Sequence, residues 1–244
     1  MYNFFIDNVD AAAEKYFITG QDYNHVKNVL RMKVGDKLLV SVNQTSDLCV
    51  IDSFESDKIV VSVVEKNYQS TNLPINVSLY QGLPKSDKLE LIIQKTVELG
   101  VAEIIPVQMS RSIVKLDKKS AKTDRWAAIS ESAAKQSKRS VIPSVSYPLT
   151  FLEALERAKK SDLFFVPYEN EEGMQSTKDA LSLIKKGMNV SILIGPEGGF
   201  SENEIEQAVK AGAKLISLGK RILRTETAAI LSVGMLMLHA EMEL

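Results

Sequence analysis

A change of hydrophobic period near Pro74 constrains this chain more than any other feature. Ahead of it, residues 37–42, 48–53 and 58–65 are short runs rich in Val, Ile and Leu, separated by the polar clusters 43–47 and 55–57. Runs of this kind at about ten-residue spacing predict strands of a small barrel or meander. Within 24–32, Val26, Val29, Leu30 and Met32 fall at helical offsets before the turn Val34-Gly35-Asp36, which predicts a short preceding helix. The polar stretch 67–74 reads as a linker. Beyond it, apolar runs at 76–81, 103–106, 162–167, 190–195 and 214–218 alternate with helical patterns at 87–99, 124–138, 151–159, 177–185, 202–211 and 226–243. That alternation predicts a mostly parallel sheet covered by helices. The expected organisation is a β-barrel over 1–70 and an α/β domain over 74–244.

Several function classes have too little to work with. Cys49 is the one cysteine and lies in the apolar run Leu48-Cys49-Val50-Ile51, so neither an internal disulfide nor a cysteine-rich zinc site can be built. A reducing, cytoplasmic compartment is the expected location. His25 and His239 are the two histidines, which leaves Ser-His-Asp and two-histidine metal arrangements without parts; no metal is expected. The most apolar segment, 228–240, is 13 residues long, short of a membrane span. The N-terminus lacks a basic region and cleavage site, so no secretory signal is expected. Net charge is -1, yet residues 115–139 hold eight basic side chains against three acidic ones. Such a patch is either a solvated helix face or a surface for a polyanion.

In parallel α/β sheets ligands sit beyond the carboxyl ends of strands, which directs attention to two loops. Ile194-Gly195-Pro196-Glu197-Gly198-Gly199-Phe200-Ser201 joins a strand to a helix, and its glycines let backbone approach a ligand closely. Ser201 with Glu204 forms a capping box that sets the helix start. The loop is neither a phosphate-binding lysine loop nor the spaced dinucleotide fingerprint, and a plain strand-to-helix turn is the alternative. Leu218-Gly219-Lys220-Arg221-Ile222-Leu223-Arg224 also leads from a strand into a helix, with Thr225 or Thr227 as N-cap. Cations are disfavoured at a helix N-terminus, so Arg221 and Arg224 invite a functional explanation. Residues 87–100 read as an amphipathic helix on which Lys88, Glu90, Gln94, Lys95 and Glu98 form a solvated face. The final helix, apolar nearly all round, is expected to be buried on several sides, either inside the domain or across a subunit contact.

Five ordered segments carry a resemblance: His25-x-x-Asn28-Val29-Leu30-Arg31-x-Lys33-x-Gly35-Asp36; Gln94-Lys95-Thr96-Val97-Glu98-Leu99-Gly100-Val101; Arg125-Trp126 with Glu131-Ser132-Ala133-Ala134-Lys135-Gln136-Ser137; Ile194 to Phe200; and Leu218-Gly219-x-Arg221-Ile222-Leu223-Arg224-x-Glu226-Thr227-Ala228. Together they resemble the ribosomal RNA small subunit methyltransferase E family over nearly the whole chain. One departure is at the start, where Tyr2 and Asn3 precede Phe4-Phe5 in place of the family's frequent arginines. The resemblance implies a SPOUT-type α/β-knot catalytic domain with a C-terminal trefoil knot, preceded by a PUA-like β-barrel. It further implies a homodimer that uses S-adenosyl-L-methionine to methylate N3 of one uridine in 16S ribosomal RNA of the small ribosomal subunit. Another RNA as substrate, or a non-catalytic RNA-binding assembly protein, are the alternatives.

On that basis the cofactor slot is expected from Leu193, Ile194, Gly195, Pro196, Glu197, Gly198 and Gly199, together with Leu218, Gly219, Ile222 and Leu223, with Thr227 and Ala228 closing it. Catalysis is expected from Arg224 stabilising the uridine anion, with Glu226 orienting it or relaying the proton; a purely structural Arg-Glu pair is the alternative. RNA contacts are expected from Arg31 and Lys33 in the barrel, from Arg111, Arg125, Lys135, Lys138 and Arg139 around the basic stretch, and from Arg221.

Overall fold

In the computed structural model, residues 1–7, 10, 12–113, 122–169 and 173–244 are described. Lys115, Lys118 and Lys119 of the basic stretch lie outside them. The backbone falls into two units, Met1–Asn72 with Ala134–Ile142, and Leu73–Ala133 with Pro143–Leu244. The division at Asn72 falls within the stretch read as linker, whereas the return of Ala134–Ile142 to the first unit has no counterpart in the sequence reading.

The β-rich runs form β1 (Asn3–Phe5), β2 (Lys15–Thr19), β3 (Lys37–Val42), β4 (Thr45–Phe54) and β5 (Lys58–Glu65), ordered β1-β3-β4-β5-β2. β1 joins β3 in parallel and the other pairs are antiparallel. The polar cluster 43–47 contributes less loop than its composition predicts. Asn43 and Gln44 both take positive φ, 50° and 67°, so pairing already begins at Val42 and Thr45, the geometry of a two-residue hairpin turn that matches strand twist. The helical segment lies earlier than predicted, as α1 (Gly20–Asn24) running into a π-helical turn at His25–Val29. Alternate side chains of the strands, among them Tyr16, Ile18, Leu38, Val40, Ile51 and Val61, build the unit's core. Beside it Asp47, almost fully buried, accepts from the Tyr16 hydroxyl at 2.6 Å and the Asn67 amide at 2.9 Å and pairs with Lys66 at 3.5 Å. The returning segment is fastened by the Arg139 carbonyl, which accepts from Asn3 Nδ2 at 2.8 Å and Ser41 Oγ at 3.4 Å.

The second unit alternates as predicted. Its strands are β6 (Asn76–Gly82), β7 (Glu103–Gln108), β8 (Ser144–Val145), β9 (Leu149–Thr150), β10 (Leu163–Pro167), β11 (Asn189–Ile194) and β12 (Lys214–Ile216). Its helices are α2 (Lys88–Glu98), α3 (Lys122–Gln136), whose last residues belong to the first unit, α4 (Phe151–Ala158), α5 (Gln175–Leu181), α6 (Glu202–Lys210) and α7 (Thr225–Glu243). The sheet order is β12-β10-β11-β6-β7-β8, with β9 also on β7, and every pairing is parallel. The chain thus starts mid-sheet, builds outward through β7, and crosses back to lay β11 against β6. Such a reversal opens a crevice at strand ends. Tyr80, Ile105, Val107, Phe164, Val166 and Leu193 pack one face of the sheet. α7 packs on α2, β6 and β11, burying Ala229, Ser232, Val233, Leu236 and Ala240. Within the chain its burial is one stripe, with Leu231, Leu238 and Met242 exposed. Among the described residues no helix is long and apolar enough to cross a membrane.

Candidate functional site

The carboxyl ends of β10, β11 and β12 open into one cavity of about 600 Å³, within the range of cofactor pockets. Both loops singled out in the sequence line it, from Ile194 to Phe200 and, Lys220 excepted, from Ser217 to Thr225, with Ala228, Tyr168 and Glu169 and with Lys88 from the start of α2. The crossover of the sheet, not sequence proximity, brings them together.

The glycine loop is held by close approach on two sides. A Cβ on Gly82, at the end of β6, would lie 2.6 Å from Pro196 N, and one on Gly198 would lie 2.9 Å from Arg111 Cβ. Gly199 turns the chain with φ 66°, and its amide donates to the Pro196 carbonyl at 2.9 Å. The capping box follows: Glu204 N donates to Ser201 Oγ at 3.3 Å while Glu204 Oε2 accepts from Ser201 N at 2.8 Å. Glu204 Oε1 also accepts the Ser110 amide at 2.8 Å, tying the loop's exit to the end of β7. Burial alone would raise the Glu204 carboxyl, but the Ser201 and Ser110 donors outweigh it and hold it below its ordinary value.

The second loop is tied to the first by Thr225. Its buried hydroxyl donates to the Gly195 carbonyl at 2.6 Å and accepts from Gln81 Nε2 at 2.9 Å. Neither Thr225 nor Thr227 caps the helix: Arg224 occupies the N-cap position with extended backbone and no side-chain cap bond. Thr227 is exposed and does not line the cavity. Residues three apart share a helix face, so Thr225 and Ala228 point inward while Thr227 turns away. Leu193 also drops from the lining because strand alternation sends it into the core, 1% exposed. The other expected cofactor residues, Ile194, Gly195, Pro196, Glu197, Gly198, Gly199, Leu218, Gly219, Ile222, Leu223 and Ala228, all face the cavity.

Charges are arranged differently from expectation. Lys88, read as part of a solvated face, stands at the cavity wall with Nζ 3.0 Å from Glu197 Oε1 and 3.3 Å from Glu226 Oε2. The carboxylates of Glu197 and then Glu226 outweigh burial and raise the Lys88 ammonium above its ordinary value. Burial tends to raise Glu197, yet its own amide, the Lys88 ammonium and the Lys85 amide together hold it low. Glu226 does not line the cavity, and its ion partner is Lys88 rather than Arg224. Arg221 and Arg224 are exposed on the wall.

The basic residues expected to meet RNA are dispersed. Arg31, at φ 53°, and Lys33 are exposed, as is Lys138. Arg111 Nη1 donates to the Gly198 carbonyl at 2.9 Å. Arg125 pairs with Glu90 at 2.7 Å and Lys135 with Asp22 at 3.1 Å. Arg139 departs from expectation: the turn at Lys138, φ 59°, folds the segment inward, leaving Arg139 6% exposed, and burial lowers its guanidinium to about 10. It offers no surface to a polyanion.

This geometry has known counterparts. The RNA methyltransferase domain model matches residues 71–237, and the RNA methyltransferase PUA domain model matches 18–46. The chain is 38% identical to the ribosomal RNA small subunit methyltransferase E of Bacillus subtilis, covering 99% of this chain and 98% of that one. With the protein of that name from Mesomycoplasma hyopneumoniae it shares 35% identity over 94% of this chain and 96% of the relative. A crystal structure of the Neisseria gonorrhoeae protein of that name, bound to S-adenosyl methionine, superposes with a TM-score of 0.81 at 27% identity, covering 96% of both chains. The first unit is thus PUA-like and the second a SPOUT-type α/β domain. With sheet order, strand-end cavity and near full-length identity in agreement, the chain belongs to the ribosomal RNA small subunit methyltransferase E family.

Proposed function

We propose that this protein methylates N3 of one uridine in 16S ribosomal RNA, working as a homodimer. The coarser activity, S-adenosyl-L-methionine-dependent methylation of ribosomal RNA, follows from family membership. The observation that carries the finer reading is the cavity, which puts two arginines beside an apolar, glycine-lined slot.

The residues present fit the cofactor. Ile194, Leu218, Leu223 and Ala228 offer apolar surface, the 195–199 backbone offers amides and carbonyls, and Ile222 stands 87% exposed at the rim. An apolar side chain so exposed on a cavity loop is suited to cover a bound aromatic group. When bound, the cofactor supplies an electrophilic methyl on a sulfonium.

The chain's own task is to bind uracil and favour its anion. N3 of neutral uridine carries a proton that must pass to a solvent water before the nitrogen lone pair can attack. The guanidinium of Arg224 supplies donors for O2 or O4, where the resulting negative charge spreads. Arg221, three residues earlier on the same wall, holds the nucleotide's phosphate. Glu226 faces Lys88, so orienting Arg224 is not the role its geometry supports. The target must leave its stack to enter the cavity. RNA is held by Arg31, Lys33 and Lys138, with Arg111, Arg125 and Lys135 contributing once released from their internal partners. The reading includes the trefoil knot; its support is the return of the chain after edge strand β12, which lets Thr225 reach Gly195 and Gln81.

The test is incubation with labelled S-adenosyl-L-methionine and small ribosomal subunits lacking the modification, followed by nucleoside mass spectrometry. Appearance of 3-methyluridine is expected. Cofactor binding without transfer to those subunits would refute the substrate assignment.

A further inference from the structure

The loop entering α7 places Arg224 two residues before Glu226, each at or behind the same cavity wall. Arg224 is the cation nearest Glu226 in sequence, and a guanidinium that meets a carboxylate forms a charge-assisted, often bidentate pair. Such a pair would neutralise the cation that uracil chemistry needs. The structure shows a different partition. Glu226 Oε2 is 3.3 Å from Lys88 Nζ, with the glutamate side chain 15% exposed. Arg224 makes no ion pair among the described residues and lines the cavity. Lys88 is itself anchored from the other side by Glu197 at 3.0 Å, and Glu197 accepts the Lys85 amide at 3.1 Å. The ammonium is therefore fixed between a carboxylate of the glycine loop and one in the first turn of α7.

Building on the proposed methylation, we infer that Lys88 is a positioning residue that keeps Glu226 away from Arg224, so that the guanidinium faces uracil with its full charge. Glu226, at the second position of α7, lies at the positive end of the helix dipole, where a carboxylate is favoured. Without Lys88, its buried oxygen has no ionic partner, and a buried unpaired charge is costly enough to drive rearrangement. The cation nearest to it in sequence is Arg224, at the N-cap of the same helix. Lys88 thus acts on the reaction through Glu226, without contact to the substrate.

The test pairs an activity assay with one that needs no turnover. The full-length protein is treated with phenylglyoxal, and modification of Arg224 is timed by peptide mass spectrometry; a guanidinium held by a carboxylate reacts slowly. Arg224 is expected to react quickly in the wild type, several-fold more slowly in Lys88→Met, and quickly again in Lys88→Met/Glu226→Gln. Lys88→Met/Glu197→Gln restores the same net charge but leaves Glu226 free, so it should stay slow. In methyl transfer, Lys88→Met should lower kcat by about tenfold, less than the ~100-fold that removal of a stabilising donor costs, with the cofactor Kd little changed. Lys88→Arg should retain activity, and Glu226→Gln should rescue Lys88→Met where Glu197→Gln does not. Equal Arg224 reactivity in the wild type and Lys88→Met would overturn the inference, as would equal rescue by the two glutamines. Should Lys88→Met melt below assay temperature, Lys88→Gln carries the same expectations. A wild type that transfers no methyl to uridine would refute the proposed function, while the phenylglyoxal series would still decide whether Lys88 separates the pair.

Discussion

Replacing Thr225 by Val isolates the contact that joins the two cavity loops. The side chains are nearly isosteric, so the change removes a hydroxyl while leaving packing almost intact. That hydroxyl is 2.6 Å from the Gly195 carbonyl and 2.9 Å from Gln81 Nε2, with Thr225 5% and Gln81 0% exposed. Each bond contributes about 1 kcal/mol net, and leaving the buried Gly195 carbonyl without a partner adds a further ~1–2 kcal/mol. Gln81 Nε2 keeps its bond to the Gly82 carbonyl at 2.9 Å, which limits the loss on that side. The total is about 2–4 kcal/mol, or roughly 4–16 °C in melting temperature for a unit of this size. Thermal and urea unfolding of Thr225→Val and Thr225→Ser, with calorimetric titration of S-adenosyl-L-methionine, measure it. Serine keeps the hydroxyl and should lose only the methyl's packing, about 1 kcal/mol; valine should lose more and bind cofactor more weakly. If valine stays within ~0.5 kcal/mol of the wild type, or serine loses as much as valine, the hydroxyl is not what ties the loops.

Three other outcomes are expected. Gly82→Ala places a Cβ 2.6 Å from Pro196 N and 2.8 Å from Met109 Sδ; the loop backbone must shift, and calorimetry should show cofactor affinity falling at least about tenfold, the cost of some 1.4 kcal/mol. Glu204 has its folded pKa lowered from an ordinary 4.5, so its contribution to stability is complete above that value and disappears as pH falls through the depressed one. Urea unfolding between pH 6 and about 3 should therefore lose stability more steeply in the wild type than in Glu204→Gln, and parallel curves would rule the linkage out. Burial pushes the Cys49 thiol up to about 12, so alkylation by iodoacetamide at pH 8 should require opening of the first unit and speed up with urea; rapid labelling of the native protein would contradict its burial.

What the sequence makes legible here is whatever depends on local pattern. The alternating runs after Pro74 place the second unit's principal strands and its helices because each element's period reflects which face it buries. The Ser201–Glu204 box is readable since both partners lie within one turn. Short strands β1 and β2 escape, because three to five residues carry no period and β1 is defined only by its pairing with β3. The helix at 20–29 is misplaced for a related reason: its π-helical half breaks the offsets on which the 24–32 reading rests.

Function divides along the same line. The glycine and leucine loops announce themselves because backbone freedom and apolar side chains are local properties. Lys88, Thr225 and Gln81 do not, for their roles are fixed by partners 109, 30 and 144 residues away. A lysine at the first position of an amphipathic helix has the pattern of a solvated charge, and only the crossover that sets β11 beside β6 turns it toward Glu197 and Glu226. Arg139 shows the converse error, since a run of basic residues reads as one surface until a turn at Lys138 takes one of them inside. Charge in a sequence is therefore a count of what must be paired or solvated, and topology decides which. In this protein it pairs Lys88 with two glutamates and leaves Arg224 facing the cavity, as the proposed stabilisation of a uracil anion requires.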